Sequence, residues 1–260
     1  MSALELEVVG CAMATPLGAP CSSYLVRGGG TTVLLDCGPG ALPGLWERGA
    51  LAELDAIVVS HMHQDHVLDL VPLSNAMTQE VLAPLRGARG PIALHVPREG
   101  GPEVLEALAA AVGEPGRFAA GFALHTYAPP DRLRLGELEL TFAATGHRGP
   151  CFAIRVGLGD VALVYGADSP PSAALEEHCR GADLVVLEAS ALDPSPDVER
   201  FGHMTADQAA GVAARAGAGR LVLTHLSPWL DGEDARKQER ARSRFPGPVD
   251  LARPGAVFRA

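Results

Sequence analysis

The spacing of apolar residues along the chain predicts its strands. Residues 4–10 alternate apolar residues with glutamate, which is typical of a strand with one solvated face. Residues 23–26 and 32–36 flank three glycines and predict a hairpin, because glycine supplies the positive φ angles of such a turn. Further strands are predicted at 56–60, 92–96, 138–142, 151–156, 161–165, 184–188, 221–225 and 256–258.

Helices are predicted between these strands. They cover 41–50, 67–85, 102–112, 205–216 and a solvated stretch beyond residue 231. Pro72 should sit in the first turn of the second helix or kink it. Thr205 and Gln208 have the spacing of a capping box for the alanine-rich fourth helix. This order of strands and helices indicates an α/β fold of two sheets with helices outside, a layered sandwich.

The two halves of the chain share a weak similarity. At residues 33–38 and again at 161–169, a buried strand delivers an acidic residue and small residues to a turn. The pattern is consistent with a duplicated β/α unit but is too short to prove one.

Length and composition favour one globular domain. The 260 residues, 47% hydrophobic and 20% charged, can bury one sizeable core, so we expect a single domain over 1–260. No apolar run approaches the roughly 20 residues of a membrane helix, and the first residues lack the pattern of a secretion signal. We therefore expect a cytoplasmic protein without membrane contact. The five cysteines form no CxxC pair and predict buried or half-buried free thiols.

The net charge bears on the substrate. The formal net charge of −10 argues against a broad surface that binds nucleic acid, because neutralising phosphates requires clustered lysine and arginine. A small anionic substrate would instead be drawn by bound metal, since divalent ions dominate the field where they bind. The expected partner is thus a small molecule.

Residues of metal-ligand type crowd one short segment. His61, His63, Asp65 and His66 fall within six residues, directly after the predicted strand 56–60. The two alternating histidines should point the same way, and the following turn should carry the other two residues back across the opening. Imidazole and carboxylate are ligands of Zn²⁺, and a site without thiolates usually keeps a position open for water.

Three later strand ends complete a two-metal site. His147, Asp168 and His225 each follow a predicted strand. The seven residues divide into two sets of three and one bridging carboxylate: His61, His63 and His147; Asp65, His66 and His225; and Asp168. The expected cofactor is two divalent ions, Zn²⁺ first, although such sites also accept Mn²⁺, Fe²⁺ and Ni²⁺.

The segment HMHQDH at residues 61–66 resembles the HxHxDH signature of the metallo-β-lactamase superfamily. The three later ligands fall in that superfamily's order, and the resemblance spans about residues 5–230. It implies the four-layer αβ/βα sandwich of the metallo-β-lactamase fold, a hydrolase with a dinuclear metal site, and a homodimer.

Two further segments resemble the tRNase Z branch of that superfamily and its phosphodiesterase relatives. They are Phe201–Ala206 and Leu223–Ser227. In that branch the histidine matching His203 binds the scissile phosphate and helps the leaving group depart, which makes His203 a candidate catalytic residue. The alternative is a helix-cap or interface histidine. Asp65 is the second candidate, since a metal-bound carboxylate can orient the attacking hydroxide or accept its proton.

One departure from that branch concerns the substrate. tRNase Z enzymes carry a long tRNA-grasping arm, in the short form between the ligands matching His147 and Asp168, which here are 21 positions apart. The resemblance therefore favours a small or cyclic phosphodiester, attacked by a hydroxide that the two ions hold. A thioester, ester or lactone hydrolase with the same site is the alternative, and tRNA 3′ processing is less favoured.

Three further residues each allow two interpretations. Asp36 either hydrogen-bonds a metal-binding histidine or is an ordinary turn residue. Arg148 either reaches the substrate phosphate or is a surface arginine, and Glu188 either touches the candidate catalytic histidine or is structural.

Segments 67–90 and 114–130 are predicted as rims that select the substrate, because loop-forming glycine and proline lie there near ligand-bearing strand ends.

Overall fold

Two sheets form the centre of the structure. The computed structural model describes residues 3–79, 82–87, 89–227, 230 and 232–260. The strands are β1 (Glu5–Gly10), β2 (Ser23–Gly28), β3 (Thr31–Leu35), β4 (Ala56–Val58), β5 (Ala93–Pro97), β6 (Ala123–Tyr127), β7 (Arg132–Leu135), β8 (Leu138–Ala144), β9 (Phe152–Leu158), β10 (Val161–Tyr165), β11 (Leu184–Glu188), β12 (Leu221–Thr224), β13 (Val249–Leu251) and β14 (Val257–Arg259). The helices are α1 (Ala41–Glu47), α2 (Gln64–Val67), α3 (Leu70–Thr78), α4 (Ala83–Arg86), α5 (Gly101–Ala111), α6 (Arg117–Gly121), α7 (Ala173–Cys179), α8 (Pro196–Phe201), α9 (Ala206–Ala216) and α10 (Glu233–Arg242), with a short 3₁₀ helix at Ala50–Ala52.

Each sheet has seven strands. The first has the order β14-β1-β2-β3-β4-β5-β6, and the second has the order β13-β12-β11-β10-β9-β8-β7. In both sheets an antiparallel part leads into a parallel part, β3 to β6 in the first and β10 to β13 in the second. Helices pack on the outer side of each sheet, so the predicted four-layer αβ/βα sandwich is confirmed.

Three hydrophobic clusters hold the layers together. The central cluster contains Leu6 from the first sheet and Leu163 from the second, so it fills the space between them. A second cluster packs Ile57 and other residues of the first sheet against its helices, and a third packs Val185 of β11 against α9. Because successive residues of a strand face opposite sides, the central strands β3 and β11 are buried on both faces, as their apolar runs predict.

The predicted helix at 67–85 is wrong in its bounds. The described residues of this segment belong to three short helices, of which α2 begins at Gln64, before the predicted start, while residues 80 and 81 lie outside the described residues. Between α2 and α3, Asp69 turns its carboxylate to the backbone N–H groups of Gly40 and Leu42 at the start of α1. Pro72 occupies the first turn of α3, where the lack of an N–H group is tolerated.

Several short elements are not predicted from the sequence. They are β6, β7, β13, α6, α7 and α8. In β7 the residues alternate between exposed and half-buried, and the strand lies at the edge of its sheet. Edge strands tolerate charged residues because one side has no partner strand, so their apolar signal is weak.

All five cysteines are buried free thiols, in agreement with the prediction. Burial raises the pKa of Cys11, Cys21 and Cys179 to about 12, which leaves them protonated and weakly nucleophilic. Within the part of the chain that the structure describes, no helix combines the length and the apolar character needed to cross a membrane.

Candidate metal centre

Four strand ends bring the seven predicted ligands to one edge of the sheets. His61 and His63 follow β4, Asp65 and His66 lie in α2, His147 follows β8, Asp168 follows β10 and His225 follows β12. Ala167 and His225 adopt left-handed φ angles of 52° and 54°. This conformation costs a non-glycine residue about 1–2 kcal/mol, and such strain is typically kept where a side chain must be aimed at a functional site.

The ligand atoms form two groups that meet at Asp168. One group holds His61, His63, His147 and Asp168, the other holds Asp65, His66 and His225, and the atoms of each group lie within 4.8 Å of one another. Oδ2 of Asp168 lies 3.7 Å from Nε2 of His61 and 3.8 Å from Nε2 of His147. Oδ1 lies 3.4 Å from Nε2 of both His66 and His225. Each carboxylate oxygen therefore faces one group, which is the arrangement that a bridging ligand requires.

The donor atoms of this centre fit divalent cations. Nε2 of His61, Nε2 of His66 and Oδ1 of Asp168 are buried and have no hydrogen-bond partner among the described residues. Nε2 of His147 and Nδ1 of His63 approach to 3.1 Å. Buried polar atoms are nearly always paired, so unpartnered atoms that converge in this way indicate a cation as their partner. The cluster is built to bind divalent metal.

Asp36 orients two of these histidines from behind. It is fully buried directly after β3, at a left-handed φ of 59°. Its Oδ2 accepts hydrogen bonds from Nδ1 of His66 at 2.7 Å, from Oγ of Ser60 at 2.8 Å and from the hydroxyl of Tyr165 at 2.7 Å. Oγ of Ser60 lies 3.0 Å from Nδ1 of His61. With Nδ1–H donated to this network, Nε2 of His61 and of His66 keeps its lone pair for a metal.

Asp65 is held by backbone groups of neighbouring loops. Its Oδ2 accepts a hydrogen bond from the backbone N–H of Ala14 at 2.8 Å and lies 3.2 Å from Nε2 of His225. Behind it, a Cβ placed at Gly38 would lie 2.0 Å from the carbonyl oxygen of Asp65. The turn after β3 can therefore pack against α2 only because Gly38 has no side chain.

Burial favours the neutral form of three imidazoles of the centre. Burial and the adjacent His66 hold the pKa of His61 well below its usual range, and burial also lowers the pKa of His63 and of His147. At His66 the neighbouring carboxylates outweigh the effect of burial and raise the pKa. Neutral imidazole is the form that binds metal, so a cation at this centre would displace the proton of His66.

His203 lies beside the centre and is held by Glu188. Its Nδ1 is 2.9 Å from Oε1 of Glu188, and its ring centroid lies 4.8 Å from that of His147 and 5.5 Å from that of His225. Glu188 is fully buried and also accepts a hydrogen bond from the backbone N–H of Ser169. Burial opposes a charged imidazole, but the hydrogen bond and the charge of Glu188 outweigh it and raise the pKa of His203 to about 9. Glu188 therefore favours the charged form of His203, in which both ring nitrogens carry a proton.

The centre opens into a cavity of about 460 Å³. Besides five of the seven ligands and His203, its lining includes Met13, Ala14, Met62, Gln64, Arg148 and Phe201. Among the described residues of the predicted rims 67–90 and 114–130, none lines the cavity, so for these residues the prediction is wrong. Residues 80, 81 and 88 of the first rim lie outside the described part of the chain. These segments form α3, α4, α6 and β6, and their apolar residues pack on the outer side of the first sheet. A larger cavity of about 640 Å³ beside β7, β8 and β9 is lined by residues outside the metal centre.

Three groups that support the centre were not predicted from the sequence. Ser60, Tyr165 and the backbone N–H of Ala14 each contact a ligand or the carboxylate that orients two ligands. The position of Ser60 directly before His61 is the single signal that could have drawn attention to it.

Sequence comparison places the chain in a family. A model described as the beta-lactamase superfamily domain matches residues 31–226. The chain belongs to this superfamily. Another member, the probable metallo-hydrolase YhfI of Bacillus subtilis, is 30% identical over 267 residues, with 98% of this chain and 99% of YhfI covered. The crystal structure of YhfI, a metallo-beta-lactamase fold protein, matches with a TM-score of 0.85 at 27% identity over 100% of both chains.

Two more distant structures share the fold. A diphosphatase from the PhnP family matches with a TM-score of 0.74 and 22% identity, over 98% of this chain and 97% of that one. The short form of human tRNase Z matches with a TM-score of 0.73 and 20% identity, over 98% of both chains. These likenesses show the fold, and the resemblance to the metallo-β-lactamase superfamily that the sequence predicts is confirmed.

Proposed function

We propose that the chain is a metal-dependent phosphodiesterase that hydrolyses a small or cyclic phosphodiester. The observation that carries this proposal is the position of His203, whose Nδ1 is held 2.9 Å from Oε1 of the buried Glu188 beside a divalent-metal centre. Hydrolysis of a phosphodiester needs positive charge at the phosphoryl oxygens and a proton for an alkoxide leaving group. The site offers both within one cavity.

The proposed cofactor is two divalent ions, Zn²⁺ first. The ligands of one ion would be His61, His63 and His147, those of the other Asp65, His66 and His225, with Asp168 between them. The separate orientation of the two oxygens of Asp168 supports two ions rather than one. Such ions, when bound, neutralise phosphoryl oxygens and make water nucleophilic near neutral pH.

The chain's own groups complete the reaction. A water oxygen bonds to phosphorus, one P–O ester bond breaks, and the leaving oxygen takes a proton from His203. Glu188 keeps His203 protonated and oriented. Asp65 lies in the wall of the cavity, where it would orient the water or accept its proton. Arg148, in the same wall, would bind a phosphoryl oxygen.

Several observations support a small substrate. The residues between His147 and Asp168 form the β9–β10 hairpin rather than a long arm, and a cavity of about 460 Å³ suits a small molecule. The net charge of −10 offers nucleic acid little attraction. The fold neighbours described as a diphosphatase and a tRNase Z support phosphate chemistry.

Hydrolysis assays on metal-quantified protein test the proposal. Metal-dependent cleavage of bis(p-nitrophenyl) phosphate should exceed cleavage of p-nitrophenyl acetate and of a thioester. His203→Ala should lower kcat/KM by roughly 100-fold or more for a phosphodiester with an alkyl leaving group, which needs a proton to depart, while sparing ester cleavage. The loss should be larger for an alkyl leaving group than for nitrophenolate, because nitrophenolate departs without a proton. His63→Ala should lose metal and both activities.

The alternatives give different results. Preferential acyl cleavage would replace the proposal with a thioester, ester or lactone hydrolase that uses the same centre. Equal loss of phosphodiester and ester cleavage in His203→Ala would remove the phosphate-specific role of His203.

A further inference from the structure

Capping hydrogen bonds at both ends, rather than buried side chains, position helix α8. All six of its residues are exposed or half-buried. Its start is capped by Ser195, whose side chain accepts a hydrogen bond from the backbone N–H of Val198. At its other end Gly202 is left-handed, and the backbone N–H of His203 donates to the carbonyl of Val198. Because none of the residues of α8 is buried, its side chains are available to contact a ligand.

Phe201, the last residue of α8, lies in the wall of the metal cavity. Its side chain is 37% exposed, although it is a large aromatic group on a polar helix. The chain beside it is locked to the metal centre, since Nδ1 of His147 donates to the carbonyl of Gly202 at 3.1 Å. The phenyl ring is therefore held two residues from His203, on the side of the cavity where the leaving group would be protonated.

One arginine contacts this ring, and a second lines the same cavity. The guanidinium of Arg200 is 5.5 Å from the centroid of the Phe201 ring, close enough for a cation–π contact. Arg148 lines the same cavity. A partly exposed phenyl ring beside a guanidinium group, in the wall of the cavity proposed to bind a phosphodiester, suits a ligand that joins a planar ring to a phosphate. Nucleosides are the substrate class with that chemistry, because every base has a face that stacks on an aromatic ring.

We propose that Phe201 is a specificity residue that stacks on the base of a nucleoside phosphodiester. This inference rests on the proposed phosphodiesterase function and narrows its substrate class from small phosphodiesters to those that carry a base. The hydrolysis is the one described above, with the base contributing binding and no chemical step.

The experiment compares substrates that differ in the base alone. The probes are the 2′,3′- and 3′,5′-cyclic phosphates of adenosine and of methyl riboside, which has a methoxy group in place of adenine. The wild-type enzyme should favour the adenosine compound of the isomer it cleaves by roughly 5- to 150-fold in kcat/KM, the range expected for one stacked base. Phe201→Leu should bring this ratio close to one, and Phe201→Trp should restore it.

Trp46→Leu is the matched control. Trp46 is also an exposed aromatic residue, 60% accessible on α1, but it does not line the metal cavity. This variant should keep the wild-type ratio. Because both aromatic side chains are exposed, neither substitution removes a core contact.

The outcomes separate this inference from the proposed function. A wild-type enzyme that cleaves esters but no phosphodiester would overturn the proposed function. An enzyme that cleaves bis(p-nitrophenyl) phosphate but neither adenosine compound, or that cleaves base-bearing and base-free compounds equally, would overturn the role of Phe201 alone. The role of Phe201 would also be overturned if Phe201→Leu kept the wild-type ratio of kcat/KM between the adenosine and methyl riboside compounds.

Discussion

Asp36 serves both groups of metal ligands with one carboxylate. It binds His66 directly and reaches His61 through Ser60, while the hydroxyl of Tyr165 donates to it from the second sheet. A buried carboxylate with this many donors has a fixed orientation, and it fixes the imidazole rings in turn. Metal affinity should therefore depend on residues that never touch the metal.

Substitutions in this network should weaken metal binding. Ser60→Ala removes the partner of Nδ1 of His61, and Tyr165→Phe removes one donor to Asp36. Each should lower metal affinity roughly 10- to 100-fold, the usual effect of losing such a partner. Metal content after dialysis against graded chelator concentrations measures this.

Tyr127→Phe is the control for the metal-affinity measurement. Tyr127 is also buried, but its hydroxyl donates to the backbone carbonyl of Val59 rather than to Asp36. The Tyr127→Phe variant should lose about as much stability as Tyr165→Phe and should keep its metal. Equal metal loss in Tyr127→Phe and Tyr165→Phe would mean that the network has no specific role.

The raised pKa of His203 predicts how kcat/KM for phosphodiesters depends on pH. Its pKa is raised to about 9, so the protonated acid is present at neutral pH and is lost as pH rises through that value. Bound divalent ions would lower this pKa, so the alkaline limb of kcat/KM should lie at or below about pH 9. In Glu188→Gln the limb should move to lower pH by roughly 1–3 units, because the stabilising negative charge is gone. A pH–rate profile of both proteins measures this, and an unmoved limb would exclude His203 as the acid.

At the scale of elements, the end of α8 is pressed against the His147 loop. Gly202 has a φ of 72°, and a Cβ at this position would lie 2.9 Å from Cα of His147. Gly202→Ala should therefore cost about 1–2 kcal/mol of stability from the left-handed backbone, and it should also displace His147 and His203. Thermal unfolding and phosphodiester kcat/KM should both fall.

Gly217→Ala separates the two effects. Gly217 ends α9 with a φ of 66°, and a Cβ there would meet no atom within 4 Å. This variant should lose similar stability and keep its activity. If both variants lost activity equally, the contact between α8 and the His147 loop would have no functional importance.

At the scale of the molecule, the two sheets repeat one topology. Strands β1 to β6 and β8 to β13 each run through three antiparallel strands into a parallel set. Asp36 follows β3, and Asp168 follows the equivalent strand β10. The similarity seen between residues 33–38 and 161–169 is thus repeated in the topology, which supports duplication of a β/α unit. The homodimer implied by the superfamily resemblance stays a prediction.

Because each group of ligands combines residues from both halves of the chain, metal should tie the sheets together. Removing it with a chelator should lower the melting temperature by roughly 5–10 °C, the shift expected when a ligand at about 100 times its Kd is withdrawn. Calorimetry with and without added Zn²⁺ measures this. His63→Ala should show little dependence on metal, and a wild-type melting temperature indifferent to proven metal loss would contradict the prediction.

Local patterns determined much of this protein. The buried strands, the capping box of Thr205 and Gln208 and the order of the candidate ligands could all be predicted, since each depends on residues close together in the sequence. The family follows from one hexapeptide and three later residues.

Tertiary structure decided what surrounds the ligands. Tyr165 reaches Asp36 across 129 residues, and nothing in an apolar strand marks its hydroxyl for that contact. The cavity wall comes from loops around Ala14, Arg148 and Phe201 rather than from the predicted rims. Periodicity tells which face of a strand is buried, but the order of strands in a sheet, and thus which distant residues meet, is set only when the two sheets pack.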